Sequence, residues 1–228
     1  MGRCNLCGGT FSKAGMTRHV GSCIRKKACS RAQGTVCGGA HKVRLYHLRV
    51  EGYGLPEYWM HLQVRADAML EELDHFLRDI WLECCGHLSA FTIRGDRYAS
   101  DPIEDLYEEG LEVPMGEALS PGVRFLHEYD FGTTTELILK VVSEYEAWVE
   151  TEEEPVQLLA RNEPPSLTCT VCGRPATLVC TQCIDLGEGW LCHECAQQHE
   201  CGEEMLLPVV NSPRVGVCGY TGEPAFLV

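Results

Sequence analysis

The first 50 residues contain no aspartate and no glutamate. Ten basic residues stand in the same stretch: Arg3, Lys13, Arg18, Arg25, Lys26, Lys27, Arg31, Lys42, Arg44 and Arg49. The other 178 residues hold nine basic and 33 acidic side chains, a formal balance of −24. The whole-chain charge of −14 therefore hides a cationic head and an anionic body. Such asymmetry suggests a head that meets a polyanion and a body that repels it, with a solubilising basic tail as the alternative.

Other absences narrow the field further. No run of 18 apolar residues occurs, which excludes a membrane-spanning helix. The start has no apolar signal core. A soluble, cytoplasmic protein with no membrane partner is the expectation. No H-E-x-x-H, G-x-S-x-G or phosphate-cradling glycine loop is present, so no familiar hydrolase or nucleotide-binding chemistry is indicated. The 15 cysteines also lack the pattern of a disulfide scaffold, because most fall in C-x2-C pairs.

Those pairs dominate the last quarter. Cys169 and Cys172, Cys180 and Cys183, and Cys192 and Cys195 are followed at once by His199 and Cys201. Eight soft or borderline ligands in 33 residues suffice for two tetrahedral zinc sites. A second constellation opens the chain. Cys4, Cys7, His19 and Cys23 have the spacing C-x2-C-x11-H-x3-C, with a glycine turn after Cys7. His19 and Cys23 stand four apart and share one face of a helix. This segment resembles a C2HC variant of the ββα zinc finger, with Phe11 and Met16 as its small core. Lys13, Arg18, Arg25, Lys26, Lys27 and Arg31 surround it and are the candidate nucleic-acid contacts. Lysine or arginine on phosphate releases counterions and gives salt-sensitive, sequence-independent affinity. One finger spans only about three base pairs, so base-specific reading is not expected.

Residues 26–41 read as a basic, glycine-rich linker, in which Cys29, Cys37 and His41 offer loose ligation at most. From Lys42 two alternating runs flank the turn signal GYGLP and predict a hairpin. Apolar residues at 69, 70, 73, 76, 77, 80 and 81 predict the main helix, with Asp67 as its N-cap. Strands are predicted over 89–93 and 97–100, a short helix and loop over 101–121, and a closing hairpin over 123–145 around Gly132. The fold class is α+β, a mixed and mostly antiparallel sheet with one main helix and zinc modules at both ends.

Trp81, His87, Leu88, Phe91, Gly95, Tyr98 and the run Tyr129-Asp130-Phe131-Gly132 carry a resemblance. Residues 42–148 are similar to the plasmid pRiA4b ORF-3-like domain family, also described as passenger proteins of insertion elements. The resemblance implies one main helix against a mostly antiparallel sheet and says little about activity. The chain departs from the family at Ser89, where a second histidine is common, and at Thr133, Thr135 and Leu137 after the YDFG run. His87, Cys84, Cys85 and Asp130 offer a nucleophile, a base and a carboxylate. The stronger expectation is that Asp130 bonds turn amides and that the two cysteines close a helix; no catalytic residue is assigned.

Residues 149–166 are acidic and end in Pro164-Pro165, which suggests a linker before a module at 167–228. The order of ligands there resembles cross-brace modules of the B-box kind. That resemblance pairs Cys169, Cys172, Cys192 and Cys195 on one ion, and Cys180, Cys183, His199 and Cys201 on the other. Sequential pairing is the alternative, and His193 or Cys218 can replace a ligand in the second site. Tetrahedral ligand counting gives about three zinc ions per chain. Nucleic acid met through residues 1–41 and a protein met through residues 167–228 are the partners implied. A protein adaptor without nucleic acid is the alternative.

Overall fold

The computed structural model describes residues 1–33, 40–150 and 153–222, with backbone alone over 27–33 and at 40. In chain order the elements are β1 (Gly2–Cys4), β2 (Thr10–Phe11), α1 (Lys13–Gln33), β3 (Ala40–Gly52), β4 (Leu55–Arg65) and α2 (Leu70–Leu77). A single π-helical turn, Arg78–Leu82, extends α2. Then come β5 (Ser89–Ile93), β6 (Asp96–Ala99), β7 (Glu109–Gly110), α3 (Met115–Ala118), β8 (Arg124–Tyr129), β9 (Thr135–Glu150) and β10 (Val156–Asn162). The tail holds β11 (Leu178–Cys180), β12 (Trp190–Leu191), α4 (His193–Ala196) and β13 (Leu206–Pro208).

One sheet of ten strands, in the order β2-β1-β10-β4-β3-β9-β8-β5-β6-β7, runs through most of the molecule. Its pairings are antiparallel except β6 with β7. Alternation along β4 explains how the sheet is covered. Tyr58, Met60, Leu62 and Val64 face the main core with Leu70, Leu73 and Leu77 of α2 and with Trp81. Trp59 belongs to a second core with Met16, Val20 and Ile24 of α1, and with Leu159 and Ala160 of β10. Helices thus cover both faces, and β3 and β4 are buried on both sides at their centres.

The fold class is the α+β arrangement predicted, with cysteine-rich clusters at both ends. Several boundaries differ. The segment expected to be an acidic linker, 149–166, contains β10, which pairs with β4 on one side and β1 on the other. Glu152–Glu154 mask a stretch in which Val156, Leu159 and Ala160 are buried in the two cores. The linker expected from residue 26 is helical to Gln33, because nothing between Ser22 and Gln33 breaks a helix. Asp67 does not cap α2. Arg65 takes it in a two-pronged ion pair at 3.0 and 2.7 Å, and Met69 stands at the cap with its N–H donating to Glu72 at 2.8 Å. Cys29 and Cys37 lie outside the described side chains.

Candidate metal centres

Each end of the chain builds the same turn. At the head, the Gly8 N–H donates to the Cys4 carbonyl (2.7 Å) and the Cys4 N–H to Gly9 (2.9 Å). In the tail, the Gly173 N–H donates to Cys169 (2.8 Å) and the Cys169 N–H to Arg174 (2.7 Å). Gly8 and Gly173 have φ of 75° and 74°, the left-handed conformation that glycine adopts without strain. The sequences CNLCGG and CTVCGR therefore close the same loop, which aims two thiols one way.

At the head, α1 supplies the other two ligands. His19 Nε2 lies 3.1 Å from Cys7 Sγ and 3.2 Å from Cys23 Sγ, and Cys4 completes a tetrad whose ligand atoms all fall within 4.8 Å of one another. Phe11 stacks on the His19 ring at 3.8 Å and fixes its plane. In the tail, Cys169, Cys172, Cys192 and Cys195 gather in one tetrad, and Cys180, Cys183, His199 and Cys201 in another. The structure thus groups the ligands crosswise and not sequentially. Sulfurs approach to 3.6 Å between Cys172 and Cys192 and between Cys183 and Cys201. Gly189, at φ 94°, stands where a Cβ would come within 3.0 Å of Cys183 Cβ and 3.1 Å of the Cys180 carbonyl. Arg174 donates to Cys172 Sγ at 3.3 Å and is held by Glu194.

Burial alone would raise the Cys169 thiol, but amides of Cys192, Cys172 and Val171 bring it down to about 6. Cys195, beside the thiols of Cys172, Cys192 and Cys169, is pushed up to about 12. Cys183 is pushed up to about 12 first by Cys201, then by burial and Cys180. Four thiolates cannot ionise together without a cation between them; a divalent ion removes that repulsion.

Sequence reasoning missed a fourth tetrad. Cys84, Cys85, His87 and Cys218 come together although 131 residues separate His87 from Cys218. The sequence offers Cys218 as a spare ligand for the second tail site. Cys218 is taken into the fourth tetrad instead, and its segment lies between the tail module and the central domain, with the Val209 N–H donating to the Thr177 carbonyl at 3.0 Å and Gly216 against Ile184 and Val179. Arg214 is fully buried there, donating to Asp130 (2.7 Å), Thr135 Oγ1 (2.9 Å) and Cys84 Sγ (3.4 Å), and lying 4.8 Å from the Tyr129 ring centre. Ser212 donates to the Trp81 carbonyl at 2.6 Å. Only the spacing of Cys84, Cys85 and His87 signals this site in the sequence. His193 joins none of the tetrads.

Asp130 behaves as a turn residue, with φ 64° and hydrogen bonds from Gly132 N–H, Thr133 N–H and Thr133 Oγ1. Burial alone would raise its carboxyl; the bonds from Thr133 and Arg214 hold it well below the usual carboxylate range.

Comparison with known proteins adds little. No family model matches the chain, and no curated protein matches it. Among solved structures it is similar to a protein of unknown function from Methanosarcina mazei Go1, at 16% identity and a TM-score of 0.44, over 52% of this chain and 69% of that one.

The predicted nucleic-acid contacts divide. Lys13 is drawn into the body, donating to the Pro56 carbonyl (2.9 Å) and pairing with Glu51 (3.2 Å). It is removed from the expected set because β3 supplies the first acidic residue of the chain just beneath the helix start. Arg18, Arg25 and Lys26 are exposed on α1. Lys27 and Arg31 lie on the helix, with side chains outside the described residues. No helix among the described residues is long and apolar enough to cross a membrane.

Proposed function

We propose that this chain is a non-enzymatic zinc protein that holds nucleic acid through the exposed side of α1. Residues 42–148 are assigned to the pRiA4b ORF-3-like kind, and zinc to the head tetrad and the two tail tetrads. One observation carries the nucleic-acid reading. Helix α1 buries Met16, Val20 and Ile24 against the sheet, spends His19 and Cys23 on the metal tetrad, and leaves Arg18, Arg25 and Lys26 exposed in a segment with no acidic residue. The start of the helix, which reads bases in ββα fingers, is turned inward here. Lys13 meets Glu51, and Thr17 Oγ1 lies 3.4 Å from His61. Phosphate binding without base reading follows from that orientation.

Deleting the head is a poor test, since β1 is a strand of the main sheet. The better one neutralises Arg18, Arg25 and Lys26 together and follows binding to duplex DNA and structured RNA as salt is varied. Each lost phosphate contact should reduce the slope of log K against log salt by about 0.9 on duplex DNA. The triple variant should therefore lose about two to three units of slope and bind weakly. An unchanged slope would remove the reading.

A second reading, docking of a protein on the tail, rests on Val171 and Leu186, apolar side chains 70% and 77% exposed on the metal module. Aspartate at both positions should abolish a partner's binding in nuclease-treated samples while leaving nucleic-acid affinity intact.

A further inference from the structure

We infer that Cys84, Cys85, His87 and Cys218 form a fourth zinc site, which clasps the end of the described chain to the central domain and is the first of the four to release its ion. The inference is independent of the nucleic-acid reading. Its geometry suits a tetrahedral site of three sulfurs and one nitrogen. Cys85 Sγ lies 3.8 Å from Cys84 Sγ and 3.9 Å from Cys218 Sγ. Four ligands at about 2.3 Å from a tetrahedral zinc place sulfurs about that far apart. His87 Nε2 points into the same space, 3.0 Å from Cys85 Sγ and 3.2 Å from Cys218 Sγ.

Three features around the tetrad support a bound cation. Buried Arg214 donates to Cys84 Sγ, as outer partners of metal thiolates do, and is itself fixed by Asp130. Tyr129 Oη donates to Glu83, and the His87 ring packs edge-on against the Tyr129 ring at 5.7 Å, which fixes its direction. Cys218 has φ 49°, a left-handed conformation that costs a non-glycine residue and persists only where something holds it. Flanked by Gly216 and Gly219, also at positive φ, the chain turns sharply enough to bring this thiol to the other three ligands.

The site differs from the other three in burial. Each of those contains at least one buried cysteine: Cys4 at the head, Cys169 and Cys192 in the first tail site, and Cys180 in the second. The fourth contains none, and both Cys85 and Cys218 are exposed. Solvent and chelator therefore reach two of its sulfurs directly, whereas the head and the first tail site each expose one, Cys7 and Cys172, and the second tail site exposes none.

The rival reading is a reactive Cys85–His87 pair without metal, and the experiment separates them. The full chain, purified under reducing conditions with zinc, is assayed for total zinc. It is then titrated with chelator, while peptide mass spectrometry maps which cysteines iodoacetamide alkylates. The expected result is four ions per chain, one per tetrad, falling to three in Cys85→Ser and in Cys218→Ser. Cys85 and Cys218 should be protected when zinc is present. They should become alkylated at chelator concentrations that leave Cys7, Cys172 and Cys183, the more accessible ligands of the other three sites, protected. Cys7→Ser, which removes a head ligand, should lose one ion yet keep this first step; Cys218→Ser carries the test if Cys85→Ser does not fold. Three ions in wild type and in both serine variants would overturn the inference. So would alkylation of Cys85 in the zinc-loaded wild type, or its appearance only after the tail cysteines.

Discussion

Two buried histidines show how much a single position can set. His47 Nε2 and His61 Nδ1 share a hydrogen bond of 2.8 Å, and both rings are fully buried between sheet and α1. Burial lowers His47 to about 4. It lowers His61 to about 3, with His47 and Arg49 adding to the effect. The unfolded chain binds protons near pH 6.5 while the folded chain does not, so stability is full above that pH and is lost as pH falls toward 4 and 3. The expected cost is roughly 1.4 kcal/mol per pH unit per histidine within that window. Acid also strips metal, so the test subtracts the curve of the His47→Gln/His61→Gln variant, in which metal loss is common. Parallel curves would refute the assignment. Gly189→Ala is a second prediction at this scale. Its Cβ has no room between Cys180 and Cys183, so zinc content should fall by one ion with the other sites retained. Neither position stands out in the sequence. A histidine looks the same buried or exposed, and Gly189 is one of 23 glycines. By contrast Asp130 is readable, because aspartate before glycine in a turn has a local job.

Among the elements, α1 and β10 matter most, and they differ in legibility. The first half of α1 is readable from His19 and Cys23 at i and i+4. Its packing is not, because the apolar triplet Met16, Val20 and Ile24 serves a sheet and not a free-standing finger. Met16→Ala should therefore cost about 2–5 kcal/mol in denaturant unfolding. A finger independent of the body would show only local loss of metal, with no change in the main transition. β10 is hidden by its acidic flank, and its pairing partners are distant: β1 begins the chain and β4 lies near residue 60. Removing residues 1–33 would bare the edge of β10 together with Trp59 and Leu159. Exposed edges pair with other copies, so the truncated chain should self-associate in sedimentation velocity, and a monodisperse monomer would contradict this placement.

At the scale of the molecule, the ten-stranded sheet is continuous, and cysteine clusters stand at both ends of the chain. β10 passes directly into the tail: Arg161 reaches the Asn211 carbonyl, and Asn162 donates to Asn211 at 2.7 Å. Val179 and Val215 enter the main core with α2 and Trp81. The expected organisation, modules hung on linkers, is thus replaced by a body in which head and tail both pack on the sheet. The three tetrads at the ends are legible because their ligands lie close in sequence. The fourth is not, since loop closure over 131 residues leaves no local pattern. Arg214 is the keystone of that closure, buried against Asp130. Arg214→Met should cost about 3–5 kcal/mol by leaving the Asp130 carboxylate unpaired, and Arg214→Met/Asp130→Asn should recover part of it.

Native mass spectrometry of the intact chain, before and after strong chelator, tests most directly whether metal holds this architecture. Mass increments for zinc that disappear on chelation, with a shift to the higher charge states of an expanded chain, are the predicted result. A chain that carries no zinc and keeps the same compact charge states in chelator would contradict it.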